Sequence, residues 1–417
     1  MAAIVVVGGG AAGMVAAWRA VLKGHHVTLL EANQKLGVKL RISGGGKCNI
    51  THDGTVESVA GAFSKEQARF LKPSFHGFSN ADVIELLHRE GVETYVRENG
   101  RVFPLDRPGS AAAVVAAFEG VMRRAGVQVR TGIRVMGLEG RAPRMAALRL
   151  EDGKLLKADG FILATGGASY PETGTRGEIV GWLENMGVPT LPWAPALAPI
   201  PLKAPHPSWE GVAFRNGTLR LLEGKGGRRI GAFSGDVVFT RNGISGPAAL
   251  ELSRQTESSR RKGLVWLGYD FAGRSEAELD SELRHEQIEN PHLSVRNWLQ
   301  RWVPERVAES LWRTEGLGEL RMKDLPKGIR STLVRWVSAF PLGLPGAVPL
   351  ERGEVAAGGV ARSAVDPHSM RVKNWENLQV CGELLDIDGP VGGYNLQAAF
   401  STGFMAGESA GIPASHD

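Results

Sequence analysis

The sequence has few of the residues on which several classes of protein depend. Its 417 residues include only two cysteines, Cys48 and Cys381, and no Cys-x-x-Cys pair. A fold built on disulfides is therefore excluded, and a reducing cytoplasm is the expected compartment. The ten histidines include no His-Glu-x-x-His motif and no cysteine–histidine cluster with ligand spacing, so no metal site is predicted.

Long apolar runs are also missing. No uncharged apolar stretch reaches the roughly 18–20 residues that a membrane span requires. The apolar segment from Ile4 to Trp18 has no basic residue before it and carries three consecutive glycines, unlike a signal peptide. We therefore expect an intracellular protein with no membrane partner.

Glycine, by contrast, is in excess. The 55 glycines are about 13% of the chain, against a typical usage of roughly 7%. They follow no Gly-x-y period, which excludes a collagen-like structure, and the 43% of hydrophobic residues excludes general disorder. Clustered glycine usually marks backbone that lies close to a ligand, because only glycine lets the main chain approach so near.

The first glycine cluster, Gly8 to Gly13, matches Gly-x-Gly-x-x-Gly between a predicted strand and a predicted helix. Gly8 permits the tight turn, Gly10 lets a pyrophosphate approach the helix N-terminus, and Gly13 allows close helix–strand packing. Glu31 ends the next predicted strand, 21 positions after Gly10, where a carboxylate binds a ribose diol and repels a 2′-phosphate. The spacing therefore favours FAD or NAD over NADP.

Three further clusters favour FAD. The second, Ser43 to Asn49, begins only twelve residues after Glu31, where a plain NAD domain needs no glycines. The third is Ala164 to Gly167, and the fourth runs from Cys381 to Asn395. The predicted helix that follows Asn395 can direct its positive end at a flavin carbonyl.

The predicted elements describe an α/β protein whose parallel, doubly wound sheet is interrupted and then resumed. In the first part, strands are predicted at Ala3–Val7, His26–Leu30, Val127–Arg130, Arg134–Leu138, Met145–Leu150, Leu155–Ala158 and Gly160–Ala164, and helices at Ala11–Leu22 and Ala111–Ala125. In the insert, short strands are predicted up to Tyr269, followed by helices at Ser275–Ile288 and Ser294–Arg313, the latter interrupted at Pro304. A last strand is predicted at Gln379–Gly382 and a last helix at Leu396–Met405.

Basic charge is concentrated in the insert. Residues 191–350 carry 22 Lys and Arg against 17 Asp and Glu, whereas the rest of the chain is balanced. Within the insert, residues 270–320 are acidic and both flanks are basic. The runs Arg228–Arg229 and Arg260–Lys262 either form solvated turns or bind phosphate.

The motifs resemble those of the BaiN/RdsA-type (YhiN-like) bacterial NAD(P)/FAD-dependent oxidoreductases, within the glutathione-reductase-like two-dinucleotide-fold flavoproteins. The resemblance covers nearly the whole chain. It rests on the segments Gly8–Gly13, Lys39–Thr51, Ala164–Glu178, Phe239–Pro247, Ala357–Val360 and Cys381–Gly403. The chain departs from the family at Val38, where a basic residue is usual, and at Arg241, where histidine is usual.

The resemblance implies a Rossmann-like FAD-binding domain that carries a β-rich, barrel-like insert, which in turn carries a small helical domain. We expect the FAD-binding domain at residues 1–190 and 351–417, the β-rich insert at 191–269 and 321–350, and the helical subdomain at 270–320. The predicted cofactor-binding residues are Gly8, Gly10, Ala11, Ala12, Gly13, Glu31, Ala32, Lys39, Ser43, Gly44, Gly45, Gly46, Cys48, Asn49, Val135, Thr165, Gly166, Gly382, Glu383, Gly392, Gly393, Tyr394 and Asn395.

No catalytic residue is identified from the sequence. Tyr170 either donates a proton to substrate or forms a wall of the site, and Tyr394 is expected to contact flavin rather than to react. Cys48 either has a redox role or packs against the cofactor. No second Gly-x-Gly-x-x-Gly with a following acidic residue occurs, so NAD(P)H, if it is the donor, visits the substrate cleft transiently.

The predicted function is an FAD-dependent oxidoreductase that moves a hydride through flavin N5. The resemblance implies reduction of an activated C=C bond, either in a small enone-like molecule or in a uridine of ribosomal RNA, and the basic insert favours RNA. One alternative is an oxygen-using flavin amine oxidase similar to enzymes that act on aminoacetone. The other is a non-catalytic flavin protein that binds RNA or senses redox state.

Overall fold

A computed structural model describes residues 1–105 and 109–411. The chain divides into two compact units, residues 1–194 with 353–417 and residues 195–352. Each unit has its own cluster of buried apolar side chains. No helix in the described part of the chain is long and apolar enough to span a membrane.

The first unit is organised around a parallel sheet. Its strands are, in spatial order, Leu378–Val380, Gly160–Leu163, Ala3–Val7, His26–Glu31 and Gln128–Thr131. Ala3–Val7 lies at the centre and is buried on both faces from Ile4 onward, as its unbroken β-branched sequence predicts. The carboxyl ends of these strands therefore meet at one edge, where ligands of open α/β sheets bind.

The remaining elements of the first unit flank this sheet. The helices are Ala11–Leu22, Val38–Ile42, Val56–Gly61, Lys65–Gly77, Asn80–Arg89, Ser110–Ala125, Ile179–Asn185 and Tyr394–Glu408. Antiparallel strands form two small sheets, Thr51–His52 with Arg101–Pro104 and Thr94–Val96, and Val135–Arg141 with Arg144–Leu150 and Leu155–Lys157. A two-stranded sheet pairs Thr190–Ala196 with Val355–Val360.

The first and last long helices of this unit pack closely against each other. A Cβ atom at Gly403 would lie 2.3 Å from the carbonyl oxygen of Ala12, and one at Gly407 would lie 2.3 Å from that of Ala16. Only glycine permits this approach of the two backbones. The start and the end of the chain are therefore parts of one core.

The second unit contains two antiparallel sheets and several helices. One sheet has the order Ile200–Pro201, Gly243–Ser245, Val237–Thr240 and Ala213–Phe214, and the other Arg229–Ser234, Thr218–Glu223, Val265–Asp270 and Phe340–Gly343. The helices are Pro247–Lys262, Glu276–Glu289, Val295–Leu299, Glu305–Thr314 and Lys327–Ser338.

The predicted fold class, a Rossmann-like α/β protein, is confirmed, and most predicted elements of the first unit lie within two residues of the observed ones. Two predictions in the insert were wrong. Pro247–Lys262 is a helix, where strands were predicted, and apart from Leu252 its buried face consists of small or polar residues such as Ala248, Ser253 and Thr256. Lys327–Ser338 is also a helix, within a segment that was predicted to be β-rich.

Candidate functional site

The first glycine cluster forms the turn between strand Ala3–Val7 and helix Ala11–Leu22. Gly8 has a φ of +104°, and its N–H donates to the Leu30 carbonyl at 2.8 Å. A Cβ at Gly13 would lie 1.8 Å from the Gly8 carbonyl oxygen, so the helix packs against the turn with no room for a side chain. A Cβ at Gly10 would meet no atom within 4 Å. The backbone at Gly10 is thus accessible to a ligand.

The amides of this helix N-terminus have no side-chain cap. Gly10 occupies the N-cap position and has no side chain to accept from the first-turn N–H groups, which include those of Ala11 and Ala12. The first turn also contains no acidic residue. An uncapped N-terminus of a twelve-residue helix presents N–H donors and a partial positive charge to an anion.

The Glu31 carboxylate lies against the same turn. Its Oε2 accepts from the Gly9 N–H at 2.7 Å, and its Oε1 accepts from both the backbone and the side-chain N–H of Asn33 at 2.8 Å. Ala32, another predicted cofactor-binding residue, lies between Glu31 and Asn33 in the chain. Since each carboxylate oxygen has two lone pairs, Oε2 retains acceptor capacity beyond its bond to Gly9.

Val135 lies near Glu31 through the backbone that precedes it. The Ile133 N–H donates to the Glu31 carbonyl at 2.9 Å, and the Gly132 N–H donates to the Asn33 carbonyl at 3.0 Å. Val135 then begins the strand Val135–Arg141 and is buried. The backbone just before this predicted residue is therefore held at the end of the strand His26–Glu31.

The second cluster is a left-handed turn that directs backbone outward. Gly44, Gly45 and Gly46 have φ values of +57°, +68° and +83°. Cβ atoms at Gly45 and Gly46 would meet nothing within 4 Å. Ser43 closes the start of the turn by donating its hydroxyl to the Leu40 carbonyl at 2.8 Å.

Asn49 joins the second cluster to the fourth. With its amide oriented to satisfy its neighbours, Oδ1 accepts from the Gly393 N–H at 2.8 Å, and Nδ2 donates to the Val102 and Thr51 carbonyls at 3.2 Å. Gly393 is the N-cap of helix Tyr394–Glu408 and has a φ of +89°. The structure thus brings two predicted clusters together through one side-chain amide.

The third cluster lies beside the first. A Cβ at Gly8 would lie 2.4 Å from the Ala164 carbonyl oxygen. The next residue, Thr165, has a buried hydroxyl oxygen with no hydrogen-bond partner among the described residues. Gly166 follows with a φ of +78°. Buried hydroxyls usually have a hydrogen-bond partner, which makes the Thr165 oxygen a candidate contact for a ligand.

In the fourth cluster, Gly382 lies against the first helix, where a Cβ would be 2.8 Å from that of Ala12. Tyr394 stacks on the His52 ring with centroids 4.6 Å apart, beside Gly392. The Asn395 side chain bonds to the backbone of Gly389 and Pro390 and holds that loop, and its predicted contact with the cofactor stays a prediction.

Lys39 and Glu383 form an ion pair at the centre of these clusters. Lys39 Nζ donates to Glu383 Oε2 at 2.7 Å, to Oε1 at 3.0 Å and to the buried hydroxyl of Ser169 at 2.7 Å. The Glu383 carboxylate also accepts from the Ala356 N–H at 2.9 Å. Ser169 and Ala356 were missed from the sequence, although Ser169 lies inside a segment that carried the resemblance.

The three catalytic candidates differ in their surroundings. Cys48 is fully buried, and burial raises the pKa of its thiol from 9.0 to about 12. The thiol therefore stays protonated at neutral pH, which does not support a redox role, since the thiolate is the reactive form. Cys381 is buried too, and burial raises its pKa further. Tyr170 is half-buried with a φ of +51°, a conformation that a bulky residue rarely adopts.

The departures from the family pattern are placed as follows. Val38 is half-buried and begins the short helix Val38–Ile42, so Lys39 is the basic residue that faces Glu383. Arg241 is exposed in the turn between strands Val237–Thr240 and Gly243–Ser245 of the second unit. Within residues 1–105 and 109–411, no group of three His, Cys, Asp or Glu side chains could hold a metal ion.

Two curated relatives match almost the full chain. A protein of Clostridium scindens named 3-dehydro-bile acid delta(4,6)-reductase is 28% identical over 410 residues, which are 97% of this chain and 98% of its own. A protein of Escherichia coli named ribosomal RNA dihydrouridine synthase is 26% identical over 409 residues, 97% of this chain and 96% of its own.

Solved structures share the fold at lower identity. A 3-ketosteroid-delta4-(5alpha)-dehydrogenase of Rhodococcus jostii matches with a TM-score of 0.54 at 16% identity, over 98% of this chain and 96% of its own. A 3-ketosteroid delta1-dehydrogenase of Sterolibacterium denitrificans matches with a TM-score of 0.52 at 14% identity, over 97% of this chain and 98% of its own.

The family described as HI0933-like protein Rossmann domain matches residues 2–409. The chain therefore belongs to the HI0933-like Rossmann-domain family and is an FAD-dependent oxidoreductase.

Proposed function

We propose that the four glycine clusters hold FAD along the carboxyl edge of the parallel sheet. The observation that carries the proposal is the hydroxyl of Thr165, which is buried without a partner among the described residues, beside the Gly8 turn. At Gly10, Gly45 and Gly46 the backbone leaves space for a ligand, because a Cβ at any of them would meet no protein atom within 4 Å. The Thr165 hydroxyl and the open backbone at these glycines come from three different clusters, as contacts with a large, extended cofactor require.

The proposed contacts follow the chemistry of each group. The uncapped N-terminus of helix Ala11–Leu22 suits the pyrophosphate, since N–H donors and a positive partial charge stabilise an anion there. Glu31 Oε2, with its free lone pair, suits a ribose hydroxyl. The N-terminus of helix Tyr394–Glu408, which also has no side-chain cap, suits the flavin ring carbonyl.

Bound FAD would supply a ring that accepts and donates a hydride. The protein places the Lys39–Glu383 ion pair beside the second and fourth clusters. The Lys39 ammonium has three oxygen atoms of Ser169 and Glu383 within hydrogen-bond distance. Lys39 therefore acts as an electrostatic group rather than as a proton donor.

We propose that the reaction is the reduction of a C=C bond conjugated with a carbonyl, with NAD(P)H as donor. The names of the two curated relatives share this chemistry, because a 3-oxo bile acid with a delta-4 bond and a uridine both contain such a bond. In the net reaction, NAD(P)H and one proton reduce the bond, the β-carbon receives the hydride and the α-carbon receives the proton. NAD(P)⁺ and the saturated carbonyl compound are the products.

Tyr170 is the proposed proton donor to the α-carbon. Its neighbour Ser169 bonds to Lys39, so the residue lies at the edge of the charged cluster. Its left-handed φ is a strained conformation, and such strain is concentrated at functional sites. Cys48 and Tyr394 are weaker candidates, since the first is a buried thiol and the second is stacked on His52.

An anaerobic half-reaction experiment tests the proposal. The purified holoprotein is mixed with NADH or NADPH and flavin bleaching is followed, and then oxygen, a steroid enone or unmodified ribosomal RNA is added to the reduced protein. We expect rapid bleaching, and reoxidation by an activated C=C substrate that is faster than reoxidation by oxygen. If NAD(P)H does not bleach the flavin, and flavin reduced with dithionite is reoxidised rapidly by oxygen, the result would instead indicate an amine-oxidase type of reaction and overturn the reductase.

A further inference from the structure

The second unit brings two basic segments, far apart in the sequence, to the same end of one sheet. Strand Thr218–Glu223 pairs on one side with Arg229–Ser234 and on the other with Val265–Asp270. The Glu223 N–H donates to the Arg228 carbonyl, and the Gly224 N–H donates to the Leu264 carbonyl, both at 2.9 Å. The exposed side chains gathered here, termed the basic edge, are Lys225, Arg228, Arg229, Arg261 and Lys262.

Only part of this charge is neutralised within the protein. Arg261 bonds to the buried carboxylate of Glu257, which Arg260 also binds, and Arg228 lies near the exposed Glu223. Lys225, Arg229 and Lys262 have no ion-pair partner among the described residues. The basic edge is therefore a surface of net positive charge and not a set of internal salt bridges.

The helix dipole explains one segment only. Arg260 to Lys262 occupy the last turn of helix Pro247–Lys262, where basic residues stabilise the helix C-terminus. Lys225, Arg228 and Arg229 lie on a hairpin, where no such effect operates. Their position beside the helix end calls for a different explanation, and an anionic partner provides one.

An aromatic ring accompanies the charges. Lys225 Nζ lies 5.7 Å from the ring centroid of Trp266, which is half-buried. Next to it, Leu264 is 65% exposed. Cations beside a partly exposed aromatic ring are typical of surfaces that bind nucleic acid, where the cations contact phosphates and the ring contacts a base or sugar.

We propose that the basic edge binds the phosphate backbone of the RNA whose uridine is reduced. This inference rests on the proposed function, of which it selects the RNA form over the small-molecule form. Contacts of Lys and Arg with phosphate release counterions, so binding through this surface depends steeply on salt concentration. The surface supplies affinity and orientation and carries no sequence preference of its own.

The test compares two triple charge reversals in the full-length holoprotein. The first, Lys225→Glu with Arg229→Glu and Lys262→Glu, changes three unpaired cations of the basic edge. The matched control, Arg313→Glu with Lys323→Glu and Lys327→Glu, changes three exposed cations on helices of the same unit and alters net charge equally. The probe is ribosomal RNA transcribed in vitro, and its affinity is measured at several salt concentrations, together with FAD content and bleaching by NAD(P)H.

We expect the first variant to lose at least about tenfold in RNA affinity at 100 mM salt, with a salt dependence shallower by about two units. FAD content and bleaching stay unchanged, and the control binds RNA within about threefold of the unmodified protein. Equal losses in both variants, or no loss in the first, would overturn the basic edge as an RNA surface. Loss of binding to phosphatidylserine vesicles with RNA affinity intact would also overturn it, in favour of a lipid surface.

The two proposals can fail separately. If the protein reduces a steroid enone but the first variant binds RNA normally, the RNA surface is wrong and the proposed reaction stands. If the first variant loses RNA affinity but no activated C=C substrate reoxidises the reduced flavin, the surface stands and the proposed reaction is wrong.

Discussion

Lys39 and Glu383 form an ion pair with 2.7 Å between Nζ and Oε2, although they are 344 positions apart in the chain. Both are largely shielded, with 29% and 18% of their side chains exposed. The pair connects the segment that leads into the second glycine cluster with the fourth cluster. Its integrity therefore bears on both stability and cofactor binding.

Glu383→Gln is expected to destabilise the first unit by about 2 kcal/mol, because it leaves the Lys39 ammonium without its counter-charge. The same change weakens FAD binding, since the second and fourth clusters lose a connection. Denaturant unfolding and FAD titration of the apoprotein measure these effects. The matched control is Glu376→Gln, which breaks an exposed ion pair with Arg144 and should change stability by less than about 0.5 kcal/mol. Equal effects of the two changes would contradict the prediction.

Two glycine substitutions in the turn Gly8–Gly13 are expected to affect different properties, one the packing of the helix and the other the affinity for FAD. Gly13→Ala places a Cβ 1.8 Å from the Gly8 carbonyl oxygen and should prevent correct packing of helix Ala11–Leu22. Gly10→Ala places a Cβ in free space at a φ of −81°, so the apoprotein should keep its stability within about 1 kcal/mol. FAD affinity of Gly10→Ala should nevertheless fall about tenfold or more, because the added methyl occupies the path of the pyrophosphate. Undiminished FAD affinity in Gly10→Ala would refute the proposed position of the cofactor.

Tyr170→Phe is expected to slow substrate reduction about 100-fold while flavin reduction by NAD(P)H stays unchanged. The reason is that a proton donor acts only when the α-carbon is protonated, and not when the donor nucleotide delivers its hydride. Stopped-flow measurement of the two half-reactions separates them. Tyr95→Phe serves as the control, since that hydroxyl accepts from Arg97 in a different sheet. A parallel decrease of both half-reactions would indicate a structural role for Tyr170.

Cys48 should resist alkylation in the folded protein. Its side chain is buried and the pKa of its thiol is about 12, so less than about one part in a thousand is thiolate at pH 8. Iodoacetamide followed by mass spectrometry should label Cys48 only after unfolding. Cys48→Ala should retain both half-reactions within about threefold. Rapid labelling of the native protein at pH 8, or loss of flavin turnover in Cys48→Ala, would restore the redox role.

The buried Glu257 is expected to make the second unit sensitive to acid. The Arg260 guanidinium, with help from Arg261 and the Val348 N–H, holds the pKa of this carboxyl at about 2, against an ordinary value of 4.5. Because the pKa of this carboxyl is lower in the folded than in the unfolded protein, its ionised form stabilises the folded state above pH 4.5. This contribution decreases as the pH falls towards 2. Glu257→Gln should therefore cost about 3 kcal/mol at pH 7 and progressively less between pH 5 and pH 2.

Denaturation monitored by tryptophan fluorescence measures this difference, since six of the ten tryptophans lie in the second unit. The control is Glu223→Gln, whose exposed pair with Arg228 should contribute less than about 0.5 kcal/mol. If the difference in unfolding free energy between the unmodified and Glu257→Gln proteins does not decrease between pH 5 and pH 2, the predicted contribution of the Glu257 carboxylate is wrong.

The sequence predicts well those parts of the structure that depend on interactions between residues close together in the chain. The turn Gly8–Gly13 and the strand that ends at Glu31 lie within 24 residues, and their glycine and carboxylate requirements are set by neighbouring backbone. The cluster around Lys39 could not be predicted in this way, because it gathers Ser169, Ala356 and Glu383 by tertiary contacts alone. Helix Pro247–Lys262 was misread because its buried face offers small and polar side chains in place of a clear apolar period.

The packing of helix Ala11–Leu22 against helix Tyr394–Glu408 has a consequence for the nascent chain. Helix Ala11–Leu22 receives its partner only when residues 394–408 have been made, and by then residues 195–352, which contain a core of their own, are already complete. Since compact units fold as they emerge, we expect residues 195–352 to reach their native state before helix Ala11–Leu22 can pack against its partner. Translation that stops shortly before Tyr394 would then yield a chain with a folded middle and no capacity to load its cofactor.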